Sequence, residues 1–240
     1  MNKPAPRVQM AVLLLVSAFM IVFCTRSGLA QPGNGNLYLS FGHVQLDMDK
    51  FNDRLTGRGL VELEKSFNTL GGGFYTKLNE RWSVGGDIHF MKEKKRRTGV
   101  YETSVSGSYG GLNLGYVAHR WHGLNVRPEL LVGAGVVNLD IAALSPGSST
   151  TPLGDGRGLI EMSSLQATVG LMLTMDYMWV MNRAEGGTGY GLLLGTSIGF
   201  QLSPWQGSWD STGIEIFDEP GIKFQGPQIR FSAGFGWKKD

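Results

Sequence analysis

The sequence has little of several things that often reveal a function. Its one cysteine, Cys24, lies in an N-terminal segment that we expect to be removed, so the rest of the chain needs neither disulfide nor thiol chemistry. The formal net charge is only +2, which gives no support to nucleic-acid binding. After residue 30, no run approaches the roughly 18 apolar residues of a transmembrane helix.

Glycine is abundant instead, with 36 of 240 residues, about twice its usual share. The glycines follow no Gly-X-Y period, which excludes a collagen-like chain. Each glycine inside a helix costs roughly 0.5–1 kcal/mol relative to alanine, so the composition argues against a mostly helical protein. The mean hydropathy of −0.07 is that of an ordinary soluble chain.

The N-terminus has the features of a secretory signal peptide. Lys3 and Arg7 form a basic head, an apolar run covers residues 11–23, and small residues at positions 28 and 30 suit a signal peptidase. We expect a signal peptide at residues 1–30 and one exported domain at residues 31–240. Two alternatives are disfavoured, since the run is short for an uncleaved anchor and Cys24 follows a large residue, unlike a lipid-attachment site.

The exported part alternates between apolar residues and polar or small ones. Between residues 124 and 137 the even positions are all apolar, whereas the odd positions mix charged residues, glycine and a few aliphatics. Successive side chains of a strand point to opposite faces, so this pattern predicts a strand with one apolar face. Eight segments show it, at residues 37–41, 70–78, 82–90, 112–116, 124–137, 165–179, 190–202 and 229–237. Several reach the roughly 9–11 residues that a tilted strand needs to cross a bilayer.

The segments between these strands alternate in length. Residues 79–80 and 119–123 are short and 180–189 intermediate, whereas residues 44–66, 92–103, 138–160 and 203–221 are long. Outer-membrane barrels join their strands by short periplasmic turns and longer outer loops. The sequence therefore predicts an all-β protein, an eight-stranded antiparallel up-and-down transmembrane β-barrel with both termini in the periplasm.

Aromatic residues mark one end of the predicted barrel. Six of them share the apolar face near strand ends on the presumed periplasmic side: Trp82, Tyr116, Tyr177, Trp179, Tyr190 and Trp237. This is the interfacial girdle expected of a membrane barrel. The alternative is a soluble barrel or sandwich whose core is the apolar face, but such a core would place aromatics mid-strand as readily as at the ends.

The other face of the predicted strands carries charged residues. Three bases, three acids and one histidine share it: Lys77, Arg127, Arg230, Asp87, Glu129, Asp176 and His89. Buried charges need partners, and the balanced numbers allow a satisfied network. An eight-stranded barrel is only wide enough inside for side chains, so we expect a plugged lumen without a permeation path.

The signal, the eight alternating strands, the girdle and the last strand together resemble the small eight-stranded outer-membrane barrels of the OmpA/OmpX type. They also resemble the outer-membrane β-barrel domains of Bacteroidetes-like bacteria. The last strand is similar to the C-terminal signal read by the barrel-assembly machinery, although Lys238-Lys239-Asp240 follow where the common form ends. The resemblance implies a protein integral to the outer membrane of a Gram-negative bacterium, in contact with its lipids and lipopolysaccharide.

One pair of inward residues has a catalytic interpretation. Asp87 and His89 lie two residues apart, and with an inward serine such as Ser40 or Ser83 they could serve hydrolysis or acyl transfer. Lipid A deacylases and palmitoyltransferases of the outer membrane are eight-stranded barrels with such groups. A hydrogen-bond network in the lumen explains the same residues more simply, and we prefer it.

A dense basic run follows the third predicted strand. It consists of Lys92, Lys94, Lys95, Arg96 and Arg97, with Glu93 among them. These side chains could bind polyanions such as lipopolysaccharide phosphates, heparan-like sugars or extracellular DNA. The simpler interpretation is a solvated loop beside the organism's own lipid phosphates.

We expect a monomeric barrel with a structural or interactive role, presenting its outer loops for adhesion or envelope integrity. The sequence leaves two alternatives open: a lipid A-modifying enzyme, and an accessory barrel of a secretion machine with a protein partner. No cofactor or nucleic-acid partner is predicted. No metal site is predicted either, since His119 and His122 lie in a short turn without further ligands.

Overall fold

The computed structural model describes residues 34–57, 62–98, 101–143, 159–183, 187–211 and 221–239. They form ten strands and one short helix, α1 (Asp49–Gly57). The strands are β1 (Asn34–Gln45), β2 (Ser66–Lys77), β3 (Trp82–Thr98), β4 (Tyr101–Tyr116), β5 (His119–Trp121), β6 (Leu124–Ala143), β7 (Leu159–Arg183), β8 (Thr188–Gln206), β9 (Asp210–Ser211) and β10 (Gly226–Lys239). The predicted signal peptide lies outside the described residues. No helix within these ranges has the length and hydrophobicity of a transmembrane span.

Eight of these strands close into one antiparallel barrel. They pair in the order β1-β2-β3-β4-β6-β7-β8-β10, and β1 pairs with β10 to complete the circle, with Leu39 opposite Ala233. The two short strands are additions, since β5 pairs with the start of β6 and β9 pairs with β7. The prediction of an eight-stranded up-and-down barrel is confirmed.

The two ends of this barrel differ in how they join the strands. At one end the connections are short, at residues 78–81, 117–123 and 184–187. The barrel begins and finishes at this end as well, because Asn34 lies opposite Lys238. We call it the short-turn end. At the opposite end three of the four connections are long, at residues 46–65, 144–158 and 207–225, and only residues 99–100 form a short one; we call this the long-loop end.

The strand faces divide as the alternation predicts. Outward side chains around the barrel are large, apolar and exposed, such as Leu39 at 73% and Leu171 at 67%, whereas their neighbours Ser40 and Met172 are buried. An apolar surface of this extent belongs in lipid, since hiding it from water is worth about 25 cal/mol per Å². A closed eight-stranded barrel with an apolar exterior is the architecture of the OmpA/OmpX-type barrels.

The strands are longer at the long-loop end than the sequence predicts. Residues 92–103 were expected to form a loop, but β3 continues to Thr98 and β4 begins at Tyr101, with Lys95 opposite Ser104. Strands β6 and β7 likewise extend into the expected loop 138–160. These loop predictions were wrong because the backbone ladder continues past the apolar band, where polar side chains can occupy both faces and no alternation marks the strand.

A compact cap covers the long-loop end. We define it as residues 46–57, 62–65, 207–209 and 221–225. Within it, Asn52 of α1 donates to Leu63 O and accepts from Leu63 N, both at 2.9 Å. Asp47 and Lys223 exchange backbone hydrogen bonds at 2.9 and 3.0 Å, which ties two loops far apart in sequence. The sequence analysis expected a plain loop at residues 44–66 and missed the helix.

The cap and the adjoining barrel wall share one hydrophobic core. Inward side chains of the strands are apolar at this end, and cap side chains pack against them. The core consists of Val44, Phe67, Met91, Val105, Tyr109, Val137, Leu139 and Met162 from the strands, and Leu46, Met48, Phe51, Leu55, Leu63, Trp209, Ile222 and Phe224 from the cap. The inward face therefore changes from apolar at the long-loop end to polar further down.

Candidate functional site

A column of rings descends from the cap into the barrel. Phe224 of the cap packs on Tyr109 of β4 with ring centroids 5.2 Å apart, and Tyr109 stacks on His89 of β3 at 5.1 Å. Two glycines give these rings their space. A Cβ at Gly135 would lie 2.5 Å from the Phe224 ring, and one at Gly71 would lie 2.4 Å from His89 Nδ1. A larger residue at either position would displace the column.

A buried ion pair lies directly below this column. Arg230 Nη1 of β10 donates to Asp87 Oδ2 of β3 at 2.6 Å, and His89 Nε2 lies 3.3 Å from the same oxygen. Asn113 donates to this oxygen at 3.2 Å, and Arg230 Nη2 donates to Gln228 at 2.9 Å. The pair thus links two strands that are not neighbours in the sheet, at a place that solvent hardly reaches.

A second ionic group lies closer to the short-turn end. Arg127 of β6 pairs with Glu129, and its Nη1 lies 3.4 Å from Asp176 Oδ2 of β7. Its guanidinium also lies 3.9 Å from the centre of the Tyr75 ring. Asp176 Oδ1 accepts from Tyr75 Oη at 3.2 Å and from Asn125 at 2.8 Å. One buried cation is therefore shared between two carboxylates and a ring.

Lys77 joins neither of these groups. It is half-buried at the short-turn end, and no carboxylate of the described residues lies within ion-pair distance of its ammonium. The structure thus divides the predicted lumen set into two ion-pair groups and one separate lysine.

The geometry around His89 bears on the catalytic interpretation. Ser40 Oγ lies 3.5 Å from His89 Nδ1, and Asp87 lies on the other side of the ring, so the residue types of a hydrolytic triad are adjacent. However, His89 Nε2 has no partner with hydrogen-bond geometry, and all three side chains are almost fully buried. Ser83 donates to Gly115 O instead. A nucleophile needs an aligned base and access for substrate, so this arrangement suits a structural network better.

A buried glutamine fastens the cap to the barrel wall. Gln166 of β7 donates through Nε2 to Ile222 O at 2.7 Å. Its Oε1 accepts from Phe224 N at 3.0 Å and from Ser203 Oγ at 2.9 Å. These bonds satisfy backbone groups of a segment that has no ladder of its own and hold Phe224 inside the barrel.

Two residues of the basic run bind the cap. Lys94 and Arg96 both contact Glu64, with Arg96 Nη2 donating to Glu64 Oε1 at 2.7 Å. The hydrogen bond from Lys94 lowers the pKa of Glu64 below its ordinary value. These side chains border a groove of about 270 Å³ whose floor includes Leu63 and Phe67.

The other bases of the run lie on the β3–β4 hairpin. Arg97 Nε donates to Glu102 at 2.6 Å, and Lys95 lies 3.3 Å from Glu93 and 3.7 Å from Glu102. Lys92 is exposed on the same hairpin. Glu93 and Glu102 of the hairpin, together with the distant Glu64, therefore offset much of the positive charge that the run suggested.

The six aromatic residues predicted as a girdle lie on the outward face near the short-turn end. Trp82 lies opposite Tyr116 in the ladder, with ring centroids 5.1 Å apart, and Trp237 lies opposite Tyr190. Tyr177 and Trp179 are exposed one strand further on. Trp121 is a further member that the sequence analysis missed, since it pairs with outward Leu124 through the short strand β5.

The two histidines considered as metal ligands flank Trp121, with His119 in the short strand β5 and His122 in the turn that follows. His119 and His122 are both exposed there. Within the part of the chain that the structure describes, no group of three potential metal ligands occurs.

Two residues of the interior were missed by the sequence analysis. Tyr109 continues the inward series of Gly111, Asn113 and Gly115, and extending the fourth strand toward the N-terminus would have found it. Gln166 showed inward parity as well. Its two backbone partners lie more than 50 residues away, and no sequence signal points to them.

No protein-family model and no curated protein matches the chain. Among solved structures, it is similar to Ail, the attachment invasion locus protein of Yersinia pestis, in a complex with the heparin analogue sucrose octasulfate. The identity is 12% over 85% of this chain and 97% of that chain, with a TM-score of 0.44. Neisserial surface protein A matches at 12% identity over 86% and 97%, with a TM-score of 0.36. A major outer membrane protein from Thermus thermophilus matches at 10% over 85% and 98%, with a TM-score of 0.39.

Proposed function

We propose that this chain is an integral outer-membrane barrel that acts through the structured surface of its long-loop end, in adhesion or envelope integrity. The long-loop end faces outward and both termini lie in the periplasm. The lumen carries no permeation path. The protein is a monomer that lies among outer-membrane lipids and lipopolysaccharide. The barrel-assembly machinery inserts it there.

The packed cap is the observation that supports this proposal most. Loops that only connect strands do not need a hydrophobic core, yet here all four cap segments contribute to one, with Phe51, Ile222 and Phe224 buried against the wall. Such a core holds the exposed side of the cap in one shape, which is what a recognition surface requires. We expect the same core to obstruct the barrel at this end, where a channel would need an opening.

Migration on gels tests the membrane barrel itself. A folded barrel in detergent should run at a different apparent mass before and after boiling, and the protein should fractionate with outer membranes. Recovery of the protein in the soluble periplasm, with no shift on boiling, would overturn the proposal.

Planar-bilayer recording tests the closed lumen. The purified full chain should give no stable conductance, because the column from Phe224 to His89 and the ion pairs below it occupy the interior. A stable, open pore would contradict this part of the proposal while leaving the barrel intact.

Binding to whole cells tests the interactive role. Cells displaying the chain should retain immobilised heparin or a host surface better than cells without it. A version with Lys95→Gln and Arg97→Gln separates a role of the basic hairpin from a role of the remaining cap surface. Heparin binding that survives both replacements would refute a specific contribution of these bases.

The adjacency of Ser40, His89 and Asp87 keeps a lipid A-modifying enzyme as a second candidate. Mass spectrometry of lipid A from cells with and without the chain tests it, with His89→Gln as the diagnostic variant. Unchanged acylation in all three strains would exclude the enzyme hypothesis.

Co-purification from outer membranes tests the third candidate, an accessory barrel of a secretion machine.

A further inference from the structure

We propose that the vestibule at the short-turn end of the barrel binds a phosphate-type oxyanion. The vestibule is a cavity of about 110 Å³ between the strand ends, and Lys77, Arg120, Lys238, Asn36 and Asp176 all line it. A site for one water needs only about 10–15 Å³, so the cavity has room for a small anion with some of its water.

The ladder register aims the three cations at the same space. Lys77 lies opposite the buried Ser83, Arg120 opposite Asn125, and Lys238 opposite Asn34. Direct partners in a ladder share a face, and each of these pairs lies on the inward face. Arg120 and Lys238 act on Lys77 electrostatically as like charges, and Asp176 acts on it as the opposite charge.

The negative charge of the vestibule is already engaged. Asp176 is the one carboxylate among the lining residues, and it is held by Tyr75, Asn125 and the Arg127 guanidinium. Arg120 uses one of its donors on Glu80 O at 2.9 Å, which leaves the others for a ligand. Three cations that converge without a free carboxylate repel one another, and an oxyanion between them removes that repulsion.

The hydrogen-bond needs of the site also point to a ligand. Asn36 is only 2% exposed, and its Oδ1 has no partner among the described residues. Inorganic phosphate in its monoanionic form offers oxygens to the cations and a hydroxyl to Asn36 Oδ1, whereas a phosphodiester headgroup offers only the oxygens and must supply the donor from its alcohol or amine. Lysine and arginine are the side chains that usually bind phosphate.

The phosphate can come from two sources. Trp237, an outward and partly exposed member of the aromatic set, lines the same vestibule, so a phospholipid headgroup is within reach. Free phosphate in the periplasm is the other source. That the vestibule faces the periplasm rests on the proposed function, whereas binding itself does not.

Titration of the full chain, refolded in a non-ionic detergent without phosphate, tests the proposal. One arm adds inorganic phosphate and the other adds a short-chain phospholipid to the micelles, each followed by ³¹P NMR and by the unfolding temperature. Saturable binding in the first arm identifies a free oxyanion as sufficient, and binding in the second arm alone identifies the headgroup. Absence of saturable binding in both arms overturns the proposal.

Lys77→Gln should weaken binding roughly ten- to a hundredfold, as expected for loss of one charge-assisted hydrogen bond. Lys50→Gln is the matched control, since it removes one exposed lysine from α1 at the opposite end and should leave binding unchanged. If Lys77→Gln does not fold, Lys238→Gln, at the rim of the vestibule, is the second vestibule variant and should also weaken binding. Equal losses in the control and the vestibule variants would refute the site.

The gel shift on boiling is measured on each preparation, so the two proposals fail separately. A protein that shows the shift but no phosphate binding contradicts the vestibule site alone. A protein without the shift contradicts the barrel proposal.

Discussion

Strands β4 and β6 carry two different interiors along their length. Near the long-loop end their inward side chains are Val105, Val137 and Leu139, which pack against the cap and are buried without polar partners. Toward the short-turn end the inward positions of the same strands hold Asn113 and Arg127, which bind carboxylates. The same eight strands enclose both halves, and the two halves differ in the side chains that fill them.

The difference lies in what closes each half. The cap supplies a second apolar surface to the half of the barrel near the long-loop end, which we call the upper half. Hydrophobic burial stabilises this half, and it does not depend on the precise direction of each contact. The half near the short-turn end, which we call the lower half, has no such cover among the described residues. Its interior holds charged side chains that must meet at defined distances to offset their desolvation. We therefore expect the lower half to react most strongly to loss of one partner and the upper half to respond more locally.

Breaking the central ion pair should have the largest effect. Arg230→Met leaves Asp87 buried without its cation, which should lower the free energy of unfolding by about 3–5 kcal/mol. Urea unfolding in vesicles, followed by tryptophan fluorescence, measures the change. Adding Asp87→Asn to this variant should recover most of the loss. If the free energy of unfolding of Arg230→Met alone were within about 1 kcal/mol of the parent value, the two halves would not differ as described.

Removing the ring that joins the halves should come next. Phe224→Ala leaves a cavity between Tyr109 and Gly135, with a cost of about 3 kcal/mol, near the lower limit for buried phenylalanine because the cap can partly collapse. Hydrogen exchange should rise in residues 46–57 and 221–225, whereas the barrel strands stay protected. Gln225→Ala, at an exposed neighbour, is the control and should change neither.

Two buried glutamines offer a finer comparison. Gln166→Leu strands Ile222 O and Phe224 N, so it should destabilise the cap by about 1–3 kcal/mol. Gln201→Leu replaces an equally buried amide whose side-chain atoms have no partners among the described residues, and it should be neutral or stabilising. Proteolysis of the cap measures both, and equal sensitivity would contradict the role assigned to Gln166.

The smallest effect on stability is expected outside the barrel. Glu64→Gln loosens the contacts of Lys94 and Arg96 with the cap, and exposed ion pairs contribute little. It should nevertheless raise retention on heparin, because two bases are released. The lowered pKa of Glu64 means that its contribution is present above the ordinary value of 4.5 and is lost as the pH falls through the folded-state pKa. Acid titration of cap opening should show this loss in the parent and not in the variant.

Particular residues show how far the sequence could be interpreted. Leu39 and Ser40, or Leu171 and Met172, lie on the faces that their parity predicts, because the direction of a strand side chain is a local property. Lys77 has the same inward parity as Arg127 but has no carboxylate partner in the described residues. Parity predicts the face on which a side chain lies, but not its position along the barrel axis. The extension of β3 to Thr98 was missed because its outer part carries charge on both faces.

The chain by itself determined the strand number, the inward and outward faces, the aromatic band and the set of charges inside, since each follows from a period of two read along one strand. Only the tertiary structure decided which charges meet, that Glu64 and Glu102 offset the basic run, that the cap shares a hydrophobic core with the barrel wall, and that three cations line one cavity at the short-turn end. These depend on register and on the return of distant loops such as 221–225, where contacts form across more than 50 residues and no local steric rule applies.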